Sequence, residues 1–398
     1  MVTSPATFGE ASMGLDIARA LHGEGDDVAF FFPSSLHYLF RDVPFPCATI
    51  DLAGDLVGAV RATMQELGFE TLVLIDVLSV FGSTPRGTLP ALLRGLPARV
   101  VGLDCWNLPE TDLTWDTGAI QTHVDPVVLD IPCVRPSPLV RPEAAGAYRS
   151  LPSIDPLSPD ERAGVRRDAG VKEHERWVLT ATATWQDPSY HRDIATARLA
   201  SHSPELYELL LRRLGEDVCL HHVGPSPFPW AAGNGRYRWL SQMPRAEFRR
   251  LLAACDLFLS LNVSATSVAA AVACGVPAVV LTNSLAGNDV EQVEERAHRV
   301  LPDDLRRWLA KVLPLFPFRI CPLGGHSFTE AILARNPYRA TFREVELTDI
   351  DGAAAAVVEL LEDDSARAAL GVKQARFREL TAGLPSVVSR FRELTDGR

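Results

Sequence analysis

Basic residues are in the minority: 39 Lys and Arg against 50 Asp and Glu leave this 398-residue chain at a formal net charge of −11. A surface of that sign is not drawn to nucleic-acid or anionic-lipid phosphates, which excludes general binding to either and leaves open a local basic pocket for one phosphorylated ligand. No stretch approaches the roughly 20 uninterrupted apolar residues of a membrane helix. The longest apolar runs, VAFFFP and PAVVLT, have the length of buried strands. The opening MVTSPATFGEASMG lacks the basic and apolar regions of a secretory signal. Seven cysteines are scattered singly with no CxxC pair, which excludes a disulfide framework and a zinc site of the usual spacing. A cytoplasmic, thiol-reduced protein is therefore expected. Also missing are GxxxxGK[ST], a strand-coupled GxGxxG, GxSxG and HExxH.

What is present is alternation. Short apolar runs at 27–33, 71–77, 98–104 and 127–132 are separated by helical patterns at 13–25, 53–68 and 88–97. Strands of four to seven residues alternating with helices predict parallel βαβ units. From Cys133 to Asp160 prolines recur every few residues without a sustained period, which predicts a linker with no element of its own. The alternation then restarts, with strands expected at 177–184, 217–224, 256–261 and 277–283 and helices at 203–215, 246–255 and 266–275. A pair of inserted helices is expected over about 284–316, then a strand at 318–324, a helix at 327–336, a short strand at 342–347 and closing helices.

In open α/β sheets, ligands bind outside the carboxyl ends of the strands. The segment 237–283 places there the loop Asn262-Val263-Ser264-Ala265-Thr266-Ser267 at the start of a helix that stops at Gly275. Free backbone N–H groups, the positive helix end and the hydroxyls of Ser264, Thr266 and Ser267 would make a diphosphate cradle. The plainer alternative is that Ser and Thr merely cap the helix. In the first half, Asp76 and Asp104 end strands, and Asp104 is followed by Trp106, an aromatic platform suited to a sugar or planar acceptor. Adjacent His221 and His222 point to opposite faces of a strand and cannot share a metal. Asp349-Ile350-Asp351 precedes a helix and reads as a cap.

Two stretches carry a family resemblance. Met243-Pro244, Leu251-Leu252, Cys255 through Ser260, and Ala270 through Pro277 fall in register on the donor-domain pattern of GT-B glycosyltransferases, and Phe8 through Leu21 resembles the opening loop and helix of the same superfamily. The resemblance implies an α/β chain of two Rossmann-like, doubly wound parallel-sheet domains facing a central cleft. Residues 1–134 would form the acceptor domain, 135–160 the linker and 161–384 the donor domain, with 385–398 a helix crossing back. It implies a metal-independent sugar transfer with no cofactor, using a nucleotide diphosphate sugar (UDP- or dTDP-linked) and a small-molecule acceptor. The diphosphate would rest on Ser264, Thr266 and Ser267, with Thr184 beside it, the base near Trp239, Leu240 and Met243, and Gly325 and His326 near the sugar. Glu10 stands where the family often has a basic His, with Asp76 as its partner, and Gly9, Ser12, Asp104 and Trp106 would meet the acceptor. Ala269 replaces the glutamate common in the family. Two rival functions stay open, a catalytically silent homologue acting as an accessory subunit and a sugar-nucleotide 2-epimerase.

Overall fold

A computed structural model describes residues 1–4, 8–51, 54–84, 87–96, 98–116, 121–151, 156–183, 186–187, 200–283, 285, 287, 289–313 and 333–396. Fifteen strands lie among them. The first sheet contains β1 (Val2–Thr3), β2 (Phe30–Phe32), β3 (Cys47–Thr49), β4 (Thr71–Ile75) and β5 (Arg99–Leu103), while β6 (Thr114–Asp116) and β7 (Gln121–His123) form a separate hairpin. β8 (Cys133–Ser137) and β9 (Ala147–Arg149) complete that sheet. The second sheet is built from β10 (Arg176–Ala181), β11 (Val218–Val223), β12 (Tyr237–Leu240), β13 (Leu257–Ser260), β14 (Ala278–Thr282) and β15 (Arg343–Glu346).

The first sheet runs β3-β2-β1-β4-β5-β8-β9 and the second β12-β11-β10-β13-β14-β15. Every pairing in both is parallel. Numbered within its own half, the second is the doubly wound 3-2-1-4-5-6 order, and the first repeats it with one strand added. The order reverses between β1 and β4 in one half and between β10 and β13 in the other, so each sheet opens its crevice there.

Local chemistry explains many boundaries. Asp55 caps the helix Leu56–Leu67 by accepting from Gly58 N–H, and Gly68, at φ 70°, ends it in the left-handed conformation that glycine adopts without strain. Ser158 and Glu161 form a capping box at the helix Pro159–Asp168. Asp256 then ties that helix to the second sheet, pairing with Arg162 and Arg166 and accepting from Trp177 N–H. The inserted helices are Val290–Ala297 and Asp303–Val312. Arg213, forked onto Asp304, and Trp308, donating to the His202 carbonyl, fix the second of them to the second half. The helix Val387–Asp396 packs on the first half, where Phe391 is buried, Arg390 donates to the Ala147 carbonyl and Arg392 pairs with Asp26.

Three expectations need correction. The stretch read as a structureless linker carries β8 and β9. β8 splits its pairing, using Cys133 and Val134 on β5 and Arg135 to Ser137 on β9, so Pro136, which lacks an N–H, sits where the strand has passed β5. The apolar run at 127–132 is not a strand but the 3-10 turn Pro126–Asp130, opened by Asp125 accepting from Val127 N–H. The first helix starts at Phe8 rather than residue 13, so Gly9, Glu10 and Ser12 belong to its first turns and not to a loop. The strand and most of the helix expected at 318–336 lie outside the described residues.

Candidate active site

The two crevices face each other. From the first half come Gly9, Glu10 and Ser12, and from the second Thr182, Ala183, Gln186, Gln242, Met243, Arg245, Arg249, Asn262, Ser264, Thr266 and Ser267. The halves approach closely at Gly9, where a Cβ would collide with the Thr266 hydroxyl. Only glycine permits that contact, and it brings the N-termini of the helices Phe8–Gly23 and Thr266–Cys274 together. Two positive helix ends thus point into one cleft.

The residue at the cap position of Thr266–Cys274 is Ala265, and no side chain caps that helix. The capping role open to Ser264 and Thr266 on sequence grounds is therefore not what they do. Asn262 organises the loop instead: its side-chain oxygen accepts from Ser264 N–H at 3.0 Å and from the Ser264 hydroxyl at 2.8 Å, while its own N–H reaches Ser260 Oγ at 3.0 Å. The N–H groups of Thr266 and Ser267 have no intrahelical acceptor, that of Val268 is taken by the Ala265 carbonyl at 3.0 Å, and Thr266 and Ser267 both line the cleft. Such a terminus is built to receive an anion.

Two arginines extend this positive wall. Arg245 and Arg249, one helical turn apart on Arg245–Ala254, both reach Asp16 of the first half, Arg249 at 3.9 Å. Burial, then the neighbouring Arg249, pushes the Arg245 guanidinium down to about 9, and burial also lowers Arg249. One half-exposed carboxylate shared between two guanidiniums leaves positive charge in the cleft. Sequence reading passed over this pair, although the i, i+4 spacing in RAEFR was a usable sign.

The carboxylates of the first half separate into different roles. Glu10 lines the cleft in the first turn of its helix. Asp76, at φ 56°, is fully buried. Burial, reinforced by nearby Asp104, pushes its carboxyl up to about 6, against hydrogen bonds from Ser79 and Trp106 that hold it down. Asp104 is also buried, but it accepts from Trp106 N–H at 3.0 Å and Leu108 N–H at 3.0 Å and pairs with Arg135 at 2.9 Å. It closes a turn. Trp106 is only 8% exposed. Neither Asp104 nor Trp106 is among the cleft-lining residues. A strand-end Asp followed by a turn finds backbone donors within its own loop.

Of the residues expected around the base, Met243 lines the cleft, with Gln242 beside it. Trp239 is 41% exposed on the edge strand β12, its indole donating to the Gly224 carbonyl, and Leu240 accepts from Gly224 N–H. Neither is among the cleft-lining residues. Thr184, Gly325 and His326 lie outside the described residues. Thr182, two positions before Thr184, holds the place at the end of β10. Asp349 caps the helix Ile350–Glu362 by accepting from Gly352 N–H, and Asp351 pairs with Arg213.

This architecture is the GT-B glycosyltransferase fold. The spinosyn forosaminyltransferase SpnP superposes with a TM-score of 0.57 at 14% identity, over 99% of this chain and 98% of SpnP. The spinosyn rhamnosyltransferase SpnG gives 0.55 at 13% identity over 99% of both chains, and structures of it hold spinosyn aglycone and thymidine diphosphate. The glycosyltransferase VinC, solved in complex with dTDP, gives 0.54 at 13% identity over 99% of this chain and 98% of VinC. No curated protein matches the sequence. Residues 17–397 match the profile described as a family of unknown function, DUF6365, and the chain belongs to that family.

Proposed function

We propose that this protein is a glycosyltransferase that moves a sugar from a UDP- or dTDP-sugar to a hydroxyl of a small-molecule acceptor. The observation that carries the reading is the uncapped N-terminus of Thr266–Cys274 at the β10/β13 switch point, facing Glu10 across the cleft. The diphosphate sits on the free N–H groups and the Thr266 and Ser267 hydroxyls, with Thr182 at the neighbouring strand end. The base lies towards Gln242 and Met243. Glu10 takes the proton from the acceptor hydroxyl, whose oxygen attacks the anomeric carbon as the bond from that carbon to the diphosphate oxygen breaks. The nucleoside diphosphate leaves with the bonding electrons, and the helix end and hydroxyls stabilise its growing charge. The dTDP and aglycone complexes of SpnG and VinC support the choice of ligand class as properties of those neighbours.

The test is a thermal-shift series with UDP, dTDP, GDP, ADP and NAD, repeated on Thr266→Ala/Ser267→Ala. A ligand at a hundred times its Kd adds roughly 2.7 kcal/mol. Stabilisation by one nucleoside diphosphate that the double variant loses supports the donor site and names the base. Stabilisation by NAD alone overturns it. Nucleotide binding without transfer to any acceptor favours the silent homologue, and inversion at sugar C2 without an acceptor favours the epimerase.

A further inference from the structure

Behind Thr182 lies a chain of hydrogen bonds that the proposed transfer does not use directly. Phe228 N–H donates to the Tyr237 hydroxyl at 2.9 Å, that hydroxyl meets His222 Nδ1 at 2.9 Å, and His222 Nε2 meets the Thr182 hydroxyl at 2.6 Å. His222 is 1% exposed, its ring stacked on Phe228 with centroids 3.9 Å apart. Burial pushes its pKa down to about 3 and that of Tyr237 up to about 12. The imidazole is therefore neutral with one N–H, and the tyrosine keeps its proton.

The direction of every bond follows from the backbone end. Phe228 N–H can only donate, so the tyrosine oxygen accepts from it. Its own hydrogen has one acceptor in reach among the described residues, Nδ1, and goes there. The imidazole hydrogen then sits on Nε2 and is donated to the Thr182 oxygen. Thr182, which lines the cleft, spends one acceptor lone pair on the histidine and keeps its hydrogen for another partner. Gly224 guards the last link, since a Cβ there would fall onto both His222 Nε2 and Thr182 Oγ1.

We infer that His222 and Tyr237 are positioning residues that hold Thr182 as a hydrogen-bond donor aimed at an anionic oxygen of the donor diphosphate. The histidine N–H occupies one of the two lone pairs of this hydroxyl, so its hydrogen is left to be donated elsewhere. That polarity suits a phosphate oxygen, which can only accept. The inference rests on the diphosphate reading for its ligand, but the relay can be measured without any ligand.

Two experiments decide it. In protein labelled with 15N-histidine, the His222 ring, identified by its loss in His222→Gln, is expected as the Nε2–H tautomer and unchanged between pH 8 and pH 5. An Nδ1–H tautomer overturns the relay. Binding is then compared for dTDP against thymidine and for UDP against uridine. His222→Leu and Gly224→Ala should weaken the diphosphate about tenfold and leave the nucleoside unchanged. Tyr237→Phe should act in the same direction with a smaller loss. His222→Gln, which keeps an N–H where Nε2 was, should bind close to wild type. Equal losses of nucleoside and diphosphate, or none in His222→Leu, overturn the positioning role. A wild-type chain that binds neither diphosphate removes the donor-site reading and the ligand named here, while the tautomer still decides the relay.

Discussion

The two halves share a strand order and differ in what their strand ends present. The first half carries carboxylates: Glu10, in the first turn of its helix, lines the cleft, and Asp76 and Asp104 are buried at strand ends. The second carries hydroxyls and amides, Thr182, Asn262, Ser264, Thr266 and Ser267, with neutral His222 behind. One topology has produced a wall that can take a proton and a wall that can take an anion. On the proposed reading, the residues at the reversal of strand order decide which end of the transfer each half serves.

The strongest way to break this comparison is to neutralise the acidic wall. Glu10→Gln should lower the transfer rate by about 10² to 10⁴, the usual contribution of a general base, with nucleotide-induced thermal stabilisation unchanged. Single-turnover assay and thermal shift on one preparation read both. The converse variant, Thr266→Ala/Ser267→Ala, should cost between about tenfold and a hundredfold in nucleoside diphosphate affinity for each charge-assisted hydrogen bond lost, read by calorimetry. Loss of nucleotide binding in the Glu10 variant would merge the two walls into one site.

pH sharpens the contrast, because the halves respond with opposite sign. Asp76 titrates near 6 when folded against an ordinary 3.8. Its proton stabilises the fold fully below 3.8, and the contribution is lost as pH rises through 6. The difference is roughly 3 kcal/mol. Asp76→Asn should be more stable than wild type at pH 8 by up to that amount, and asparagine tolerates the left-handed backbone at this position. In the second half, buried His221 titrates near 4 against an ordinary 6.5. Its contribution is present above 6.5 and is lost as pH falls towards 4. The two ring nitrogens of His221 have no hydrogen-bond partner among the described residues, and the ring packs on Trp177 at 5.0 Å. His221→Phe should therefore be tolerated and should flatten the acid limb of the stability curve, measured by urea unfolding at pH 5 and pH 7.

The smallest effect belongs to the bridge between the walls. Asp16→Asn removes the partially exposed partner of Arg245 and Arg249. It should change stability by less than about 1 kcal/mol while raising the salt sensitivity of nucleotide binding, seen in a Kd series against sodium chloride.

Some of this site could be read before the structure. A hydroxyl-bearing loop before a helix that ends in Gly275 marked Ser264, Thr266 and Ser267 because small polar residues at a strand-to-helix turn leave a recognisable pattern. Glu10 and Met243 were reached through the family resemblance. Asn262, Arg245 and Arg249 were missed because their roles depend on what stands opposite: a helix end without a cap, and Asp16 more than 200 positions away. The burial of Asp104 and Trp106 was not legible, because a strand end shows where a side chain begins and not where it points. The strands in the proline-rich stretch escaped for a similar reason, since a three-residue strand exists only through its neighbour.

The sequence by itself determined the class of the molecule. Periodicity, helix stops and short apolar runs are local signals, and they are enough for two parallel α/β halves. Tertiary structure alone decided the site. It brought Gly9 against Thr266, turned Asp104 inward, put two arginines on one carboxylate and ran a hydrogen-bond chain from Phe228 to Thr182. Hydrogen-bond direction and charge compensation are properties of groups that meet, and these groups meet only when the chain has folded.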